Sequence, residues 1–280
     1  MRCVTTVSTE DLIAEARAAI GAAIVQHGDT VLQFSGGISS LACLYLARPW
    51  WGHIVVVWVN AGDEFPESRA QMDQVRAMVP FFHEIRGHAR TSQDVGGWPV
   101  DMLPERATQG ARFMRTEGLE RPMMLASECC AMNAALPFRD FMFRSGLKSV
   151  IGGQRCEKVI PPPELVDRAV LEGVTFSRPI ESWTRQQVLD YLDAEHVAIP
   201  AQYAYGATSL RCLHCTGALG DDGPGRLRYL RDQHPEVALV VERRLRIIDE
   251  AQQRESRSLR RILEEPQGEV SGATTHPGAA

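Results

Sequence analysis

Short apolar runs separated by polar turns mark the strands in the first part of the chain. Continuous apolar segments at residues 30–34 and 54–59 predict strands buried on both faces, and a third strand is predicted at 82–85. A turn of small residues at 35–40 separates the first strand from a helix predicted to end near Ala47. This alternation predicts a parallel sheet with crossover helices.

Helix signals lie on both sides of these strands. Ser8-Thr9-Glu10-Asp11 is typical of a capping box and predicts an amphipathic helix that ends near Gln26. Pro66 lies at a favourable first-turn position for a helix between the second and third strands. We therefore expect an α/β fold with a parallel sheet of five or six strands flanked by helices.

The pattern weakens between Gly87 and Arg121. Glycines, prolines and isolated apolar residues there predict a long lid or binding loop. Regular spacing returns after it and predicts a helix at 131–145, strands at 148–151 and 174–178, and a helix at 184–194.

The C-terminal part of the chain has a different composition. An acidic, glycine-rich stretch at 220–225 predicts a linker to helices that end near Glu265. The small polar residues that follow predict disorder. The sequence therefore predicts a main domain of residues 1–218, a helical extension of residues 219–265 and a disordered tail of residues 266–280.

Composition and charge narrow the classes of protein. The 44% hydrophobic and 23% charged content is typical of a globular protein, and the net charge of -5 gives no overall attraction to nucleic acid. Between residues 221 and 265, ten arginines are balanced by ten acidic residues, which predicts amphipathic, charge-laced helices and not a nucleic-acid surface. No segment approaches 18 uninterrupted apolar residues, so we expect a cytoplasmic protein with no membrane partner.

Four of the seven cysteines form two compact motifs, Cys129-Cys130 and Cys212-Leu213-His214-Cys215. In a reducing compartment such a set favours metal ligation over disulfides, and four thiolates favour an iron–sulfur cluster or zinc. Adjacent side chains diverge, so the tandem pair reaches two irons more readily than one zinc ion. Buried apolar cysteines are the alternative.

The turn after the first strand has the chemistry of a phosphate-binding loop. Its glycines allow close backbone approach, and its N–H groups and hydroxyls can hold an anion at the start of a helix. It lacks the spacing and the lysine of a Walker A loop, and a plain tight turn is the alternative. The candidate residues are Ser35, Gly36, Gly37, Ser39 and Ser40.

A second polar segment follows the second strand. We expect four residues of this segment at the same edge of the sheet as the small-residue turn, the edge at which a bound nucleotide would lie: Asn60, Gly62, Asp63 and Glu64. Asp63 or Glu64 could hold magnesium. Acidic residues that stabilise a helix N-terminus are the alternative.

Several motifs, in order along the chain, resemble one enzyme family. The S-G-G-x-S-S turn resembles the pyrophosphate loop of the adenine-nucleotide alpha-hydrolase superfamily. N-A-G-D-E-F-P-E-S at 60–68 is similar to the D-T-G-x-x-F-P-E-T segment of phosphoadenylylsulfate reductases, and Gly152-Gly153-Gln154-Arg155 resembles their glycine-arginine strand end. R-P-I-E-S-W-T at 178–184 and Y-G-A-T-S-L-R-C at 205–212 match further segments. The resemblance runs from about residue 31 to residue 216.

The resemblance implies a cofactor and a set of contacts. It implies that Cys129, Cys130, Cys212 and Cys215 hold a 4Fe–4S cluster near an adenine nucleotide, which would be ATP, adenylylsulfate (APS) or phosphoadenylylsulfate (PAPS). It also implies that Gly153 and Arg155 lie at the nucleotide.

Two positions depart from the family. The family has a lysine in its Cys-Cys segment, and Ala134 occupies that position in this sequence. The reductases carry their catalytic cysteine in a C-terminal tail, and this sequence has no cysteine after Cys215. Cys156, directly after Arg155, is the candidate substitute nucleophile, because an adjacent cation favours the thiolate. A structural cysteine is the alternative.

Three functions remain open from the sequence. The first is ATP-dependent, pyrophosphate-releasing sulfur transfer to a nucleic acid or similar acceptor, with a partner protein as the sulfur donor. The second is APS or PAPS reduction that releases sulfite and needs a reductant protein. The third is a non-catalytic protein that senses nucleotide or redox state. We favour the first.

Overall fold

The computed structural model describes residues 8–104, 107–108, 122–155, 173–220 and 222–264. Cys156 and the predicted tail at 266–280 lie outside the described residues. Seven strands are described: β1 (Thr30–Phe34), β2 (Ile54–Asn60), β3 (Phe82–Arg86), β4 (Trp98–Val100), β5 (Met123–Leu125), β6 (Ser149–Ile151) and β7 (Thr175–Ser177).

Five of these strands form the central sheet, in the order β3-β2-β1-β6-β7, and every neighbouring pair is parallel. β4 and β5 form a separate parallel pair. The predicted parallel sheet is confirmed, with five strands. The chain moves outward from β1 to β3 and then returns to the other side of β1, so the strand order reverses between β1 and β6. Such a reversal opens a crevice at the carboxyl ends of the two strands.

Helices lie between and after the strands. They are α1 (Thr9–His27), α2 (Ile38–Leu46), α3 (Pro66–Met78), α4 (Ala89–Gly96), α5 (Ala126–Cys130), α6 (Leu136–Ser145), α7 (Arg185–Ala194), α8 (Gly223–Gln233) and α9 (Pro235–Glu264). One π-helical turn, Ala131–Ala135, joins α5 to α6, and a 3-10 turn, Ala201–Tyr205, follows α7. In the described part of the chain, no helix is both long and apolar enough to cross a membrane.

Two predicted helix starts are confirmed by their caps. The Ser8 hydroxyl accepts the backbone N–H of Asp11 at 3.1 Å, so α1 begins directly after it. Thr184 and Gln187 form a reciprocal capping box before α7, with distances of 3.2 Å and 2.7 Å.

Three boundary predictions are wrong. The loop expected from residue 87 contains α4 and β4; the buried side chains of α4 are Ala89 and Gln93, so the helix has almost no apolar period to detect. The helix expected at 131 begins five residues earlier, at Ala126. The expected linker at 220–225 ends early, since α8 begins at Gly223.

The C-terminal helices pack on the main sheet domain. Tyr229 and Leu230 of α8 join Phe65 in one buried apolar cluster. Ile248 of α9 lies in another with Val100 and Met123. These contacts bring α8 and α9 against the segments that follow β2 and β3.

Candidate active site

The small-residue turn closes on itself between β1 and α2. The Ser40 hydroxyl accepts the backbone N–H of Ser35 at 3.3 Å and donates to the Gly37 carbonyl at 2.9 Å. Gly36 has φ of 76°, a left-handed conformation that suits glycine. The turn is therefore held by its own hydroxyls, and it presents the first N–H groups of α2 to the crevice.

Two side chains from distant segments complete this turn. Arg155, which is 7% exposed, donates from Nε to the Ser39 hydroxyl at 3.1 Å. The Tyr203 hydroxyl accepts the Ile38 N–H at 3.3 Å. Gly153 lies so close that a Cβ there would meet backbone atoms of Ser39 and Ser40 at 2.9–3.0 Å. A guanidinium and a phenol therefore flank the anion-binding end of α2.

A cavity of about 310 Å³ opens over the turn. Its walls come from β1 and the turn, from the segment after β6, and from residues 203–210. The lining residues are Gln33, Ser35, Gly37, Ser39, Ser40, Gly153, Gln154, Tyr203, Thr208, Ser209 and Leu210. The cavity thus lies at the reversal of strand order, where open parallel sheets bind ligands.

The polar segment after β2 is used mainly for internal contacts. Asn60 accepts the Gly62 N–H at 2.9 Å and donates to Glu84 at 2.8 Å. Glu64 accepts the Ala61 N–H at 2.9 Å, and burial raises the pKa of its carboxyl. Asp63 is buried and faces the Cys-x-x-Cys turn. The 310 Å³ cavity is lined by none of the four candidate residues of this segment, Asn60, Gly62, Asp63 and Glu64.

The four motif cysteines come together beside this segment. Burial raises the pKa of the Cys129 thiol to about 11, and the charges of Cys130 and Cys215 add to the rise. Burial and then Cys215 raise the pKa of Cys130, while Arg211 opposes that shift. Burial, Glu64 and Cys215 raise the pKa of Cys212. The raised pKa values of Cys129, Cys130 and Cys212 keep these three thiols protonated in the metal-free protein.

The Cys212–Cys215 turn is held from its amide side by Asp63. The Asp63 carbonyl accepts the Leu213 N–H at 2.6 Å, and its carboxylate accepts the His214 N–H at 2.9 Å. The second carboxylate oxygen lies 2.8 Å from Nδ1 of His214 and 3.9 Å from Arg90. The magnesium role of Asp63 therefore gains no support, because both its carboxylate oxygens already have protein partners.

The tandem cysteines lie at the end of α5. Asn133, in the π-helical turn, donates to the Cys129 carbonyl at 2.9 Å and lies 3.9 Å from its sulfur. The same side chain accepts the N–H of His88 at 3.0 Å, so it ties the start of α4 to the cysteine pair. Cys129 is buried and Cys130 is exposed.

One segment joins the two halves of the site. Thr208, Ser209 and Leu210 line the cavity over the small-residue turn, and Cys212 follows two positions later. Asp222 holds the start of this segment by accepting from the N–H and hydroxyl of Thr208, at 3.0 Å and 2.8 Å. The cavity and the Cys212–Cys215 turn are therefore neighbours along a short stretch of backbone.

The sequence motifs did not identify three residues that contact the site: Tyr203, Arg226 and Arg244. The two arginines lie in the helices predicted to be amphipathic and charge-laced, and Arg244 falls on the buried face of α9, where it is only 8% exposed. A signal was present: Arg244 falls on the helical seam of Val237, Val241 and Ile248.

The sheet topology, the turn after β1 and the cavity at the reversal define a nucleotide-binding α/β protein of the pyrophosphate-loop class. The sequence model described as "Phosphoadenosine phosphosulfate reductase domain" matches residues 29–218. The chain therefore belongs to this family, and the predictions of family and of a reductase-type enzyme are confirmed.

Named relatives agree with this placement. The chain is 23% identical to an adenosine 5'-phosphosulfate reductase of Deinococcus radiodurans over 204 residues, 71% of this chain and 72% of the relative. It is 24% identical to a phosphoadenosine 5'-phosphosulfate reductase of Yersinia enterocolitica over 189 residues, 68% of this chain and 71% of the relative.

A solved structure shares the fold. It is a phosphoadenylyl-sulfate reductase from Candida auris in a phosphate complex, with a TM-score of 0.50 and 15% identity, and the match covers 75% of this chain and 97% of that one.

Proposed function

We propose that this protein is an adenine-nucleotide-dependent sulfur-transfer enzyme with a 4Fe–4S cluster on Cys129, Cys130, Cys212 and Cys215. One observation carries the proposal: residues 208–210 line the cavity over the phosphate loop, and the same short segment continues into two of the four cysteines. Nucleotide chemistry and thiolate-bound metal are thereby brought to one crevice.

The tandem Cys129-Cys130 pair favours a cluster over a single ion, because neighbouring side chains diverge and reach two irons more readily than one ion. In the described part of the chain, no three His, Cys, Asp or Glu side chains are grouped closely enough to bind one metal ion. Tetrahedral zinc, with Zn–S bonds near 2.3 Å, would need sulfur atoms about 3.8 Å apart. A four-iron cluster spreads its thiolates more widely, because each binds a different iron. A bound cluster would supply sulfur-binding, redox-active iron beside the nucleotide.

The loop supplies the phosphate contacts in this proposal. The backbone N–H groups of Ser39 and Ser40 at the start of α2, together with the hydroxyls of Ser35, Ser39 and Ser40, would hold phosphate oxygens. Arg155, already bonded to Ser39, supplies positive charge to that end of the cavity. Gly153 permits the close approach of the two segments. Glu64 remains the candidate magnesium ligand, with Asn60 and Gly62 shaping the turn before it.

The reaction we favour begins with ATP. An oxygen of the acceptor attacks the α-phosphorus, the α–β phosphoanhydride bond breaks, and pyrophosphate leaves. The outer sulfur of a persulfide on a donor protein then attacks the activated carbon, the carbon–oxygen bond breaks, and AMP leaves. A reductant thiol then attacks the donor's sulfur, the sulfur–sulfur bond breaks, and the transferred sulfur stays on the acceptor while the donor is left as a disulfide. The loop and Arg155 stabilise the charge that develops on pyrophosphate. A nucleic acid is the acceptor class we propose.

A second candidate is sulfonucleotide reduction, which the named reductase relatives favour. Here a thiolate attacks the sulfur of APS or PAPS, the sulfur–oxygen bond to phosphate breaks, and the nucleotide leaves. A reductant dithiol then releases sulfite. Of the five described cysteines, Cys43 is buried in the core with its pKa raised to about 12, and the other four form the proposed cluster site. Cys156 or a partner thiol would therefore be the nucleophile.

Product analysis separates these candidates. Cluster-loaded protein is incubated anaerobically with ATP, APS or PAPS, in the presence of thioredoxin, dithiothreitol and a transfer RNA pool. Pyrophosphate from ATP, without sulfite from the other nucleotides, is the expected result. Sulfite from APS or PAPS would overturn ATP-dependent transfer in favour of reduction. Tight binding with every nucleotide unchanged would overturn both and favour a sensor.

A further inference from the structure

The carbonyl side of the Cys212–Cys215 turn is covered by two arginines from the C-terminal helices. Arg226 of α8 donates to the carbonyls of Cys212, Leu213 and Cys215, at 2.9 Å, 3.2 Å and 2.7 Å. Arg244 of α9 donates to the remaining carbonyl, that of His214, at 3.2 Å. Every carbonyl of the turn therefore bonds to a guanidinium.

Arg244 is fixed by further contacts. Its Nη1 also donates to the buried Gln93 of α4 at 2.8 Å, and its guanidinium lies 5.2 Å from the ring centre of Trp98. It is 8% exposed. The side chain thus joins α9, α4, β4 and the cysteine turn, and it cannot move without breaking contacts to all of them.

This arrangement has an electrostatic consequence. Asp63 holds two amide N–H groups of the turn, and the arginines hold its four carbonyls, so the turn is clamped from both sides. Two guanidinium charges lie behind a site made of four thiols. Positive charge and hydrogen bonds close to a thiolate-bound metal stabilise its more negative, reduced state and slow its release.

We propose that Arg226 and Arg244 are positioning residues for the metal site, and that α8 and α9 form a clamp controlling cluster retention and reduction potential. The inference rests on the proposed cluster and deepens it. It assigns the C-terminal helices to the functional site, although the family match ends at residue 218.

The test compares Arg244→Gln, Arg244→Lys and the matched control Arg243→Gln after reconstitution with iron and sulfide. Arg243 neighbours Arg244 on α9 but is exposed. In Arg244→Gln we expect chelator-driven loss of iron about tenfold faster than in wild type. Removing a side chain that holds the backbone around metal ligands commonly weakens metal binding by about this factor. We also expect a more negative midpoint potential. Arg244→Lys should restore the reduction potential more fully than it restores iron retention. Lysine keeps the positive charge but lacks the forked guanidinium that makes several hydrogen bonds at once.

Outcomes are interpreted against the folding of each apoprotein, measured by thermal unfolding. If Arg244→Gln fails to fold, Arg226→Lys is the second probe, with faster iron loss and a near-normal potential expected. Retention and potential equal to those of Arg243→Gln would overturn the inference. If the wild-type protein binds no iron and sulfide, the proposed cluster fails first, and that result is distinct from failure of the clamp.

Discussion

The phosphate loop and the cysteine turn reach the same crevice by different routes. The loop is made by one continuous strand, turn and helix, and its serines hold its shape. The Cys212–Cys215 turn is held almost entirely by distant side chains: Asp63 on one side, Arg226 and Arg244 on the other. The first site is shaped mainly by residues that are consecutive in the sequence, with Arg155 and Tyr203 packed against it, whereas the second is assembled by the fold.

This difference predicts how each site should fail. A local loop should be disturbed by changes within it or directly against it, while the rest of the protein is unaffected. An assembled turn should be sensitive to substitutions far away in sequence. The two sites should therefore be separable by mutation, although one short segment joins them.

The largest expected effect is on the cluster ligands. Cys129→Ser and Cys212→Ser should each abolish or nearly abolish iron and labile-sulfide binding, because serine is a poor ligand for this class of metal site. Nucleotide affinity, measured by calorimetry, should stay within about twofold of wild type, since neither cysteine lines the cavity. Cys43→Ser tests a cysteine outside the site and should retain iron. Full iron content in Cys212→Ser would refute the assignment of ligands.

The next effect concerns the loop. In Gly153→Ala, the new Cβ would lie 2.9–3.0 Å from backbone atoms of Ser39 and Ser40, so the loop must shift. Overpacking of this kind costs about 1–3 kcal/mol, and we expect nucleotide affinity to fall by about tenfold or more. Iron content should not change. Gly52→Ala is the matched control, because nothing lies within 4 Å of its added Cβ. Equal affinity in both variants would show that the loop is not the nucleotide site.

A smaller effect tests to which site Asp63 belongs. Asp63→Asn keeps one acceptor but loses the charge that faces His214 and Arg90. We expect iron loss to accelerate several-fold, with magnesium-dependent ATP binding unchanged. Asp63 holds the turn that carries two of the proposed ligands, and the loss of such a contact commonly weakens a metal site. Asp73→Asn, on the exposed side of α3, controls for the lost charge. Weaker magnesium–ATP binding with normal iron retention would return Asp63 to the nucleotide site.

The smallest effect is a pH dependence of the metal-free protein. Burial raises the pKa of Cys129 from about 9 to about 11, so the folded chain keeps a proton that the unfolded chain releases. Stability should therefore fall as pH rises from 9 towards 11, by roughly 1 kcal/mol at pH 10 relative to neutral pH from this group. Urea unfolding of Cys129→Ser should show a correspondingly smaller fall. An identical fall in both proteins would contradict the buried position of Cys129.

The same contrast explains what the sequence could predict. β1, its turn and α2 were predictable because their signals are consecutive residues. The assignment of the two cysteine motifs to a metal site stays a prediction. α4 was missed, since it is anchored by Ala89 and Gln93 and not by an apolar stripe. The partners of Asp63 could not be predicted, because 151 positions separate it from His214 and no local pattern links them.

The arginines of the C-terminal helices show most clearly what composition alone could not predict. They equal the acidic residues in number, and this balance correctly predicts ion pairs of exposed arginines such as Arg231, which pairs with Glu242 at 2.7 Å. Composition has no information about which arginine lies on the buried seam of α9. The helical spacing of Val237, Val241 and Ile248 marks that seam and separates Arg244 from its neighbours.

The central claim is that nucleotide and cluster occupy one functional crevice. The most direct test is the electron paramagnetic resonance spectrum of the reduced, cluster-loaded protein with and without saturating nucleotide, with binding confirmed by calorimetry. The account predicts a changed signal on addition of at least one of ATP, APS or PAPS, and a much weaker response at the same concentration in Gly153→Ala. An unchanged signal in wild-type protein with nucleotide bound would contradict it.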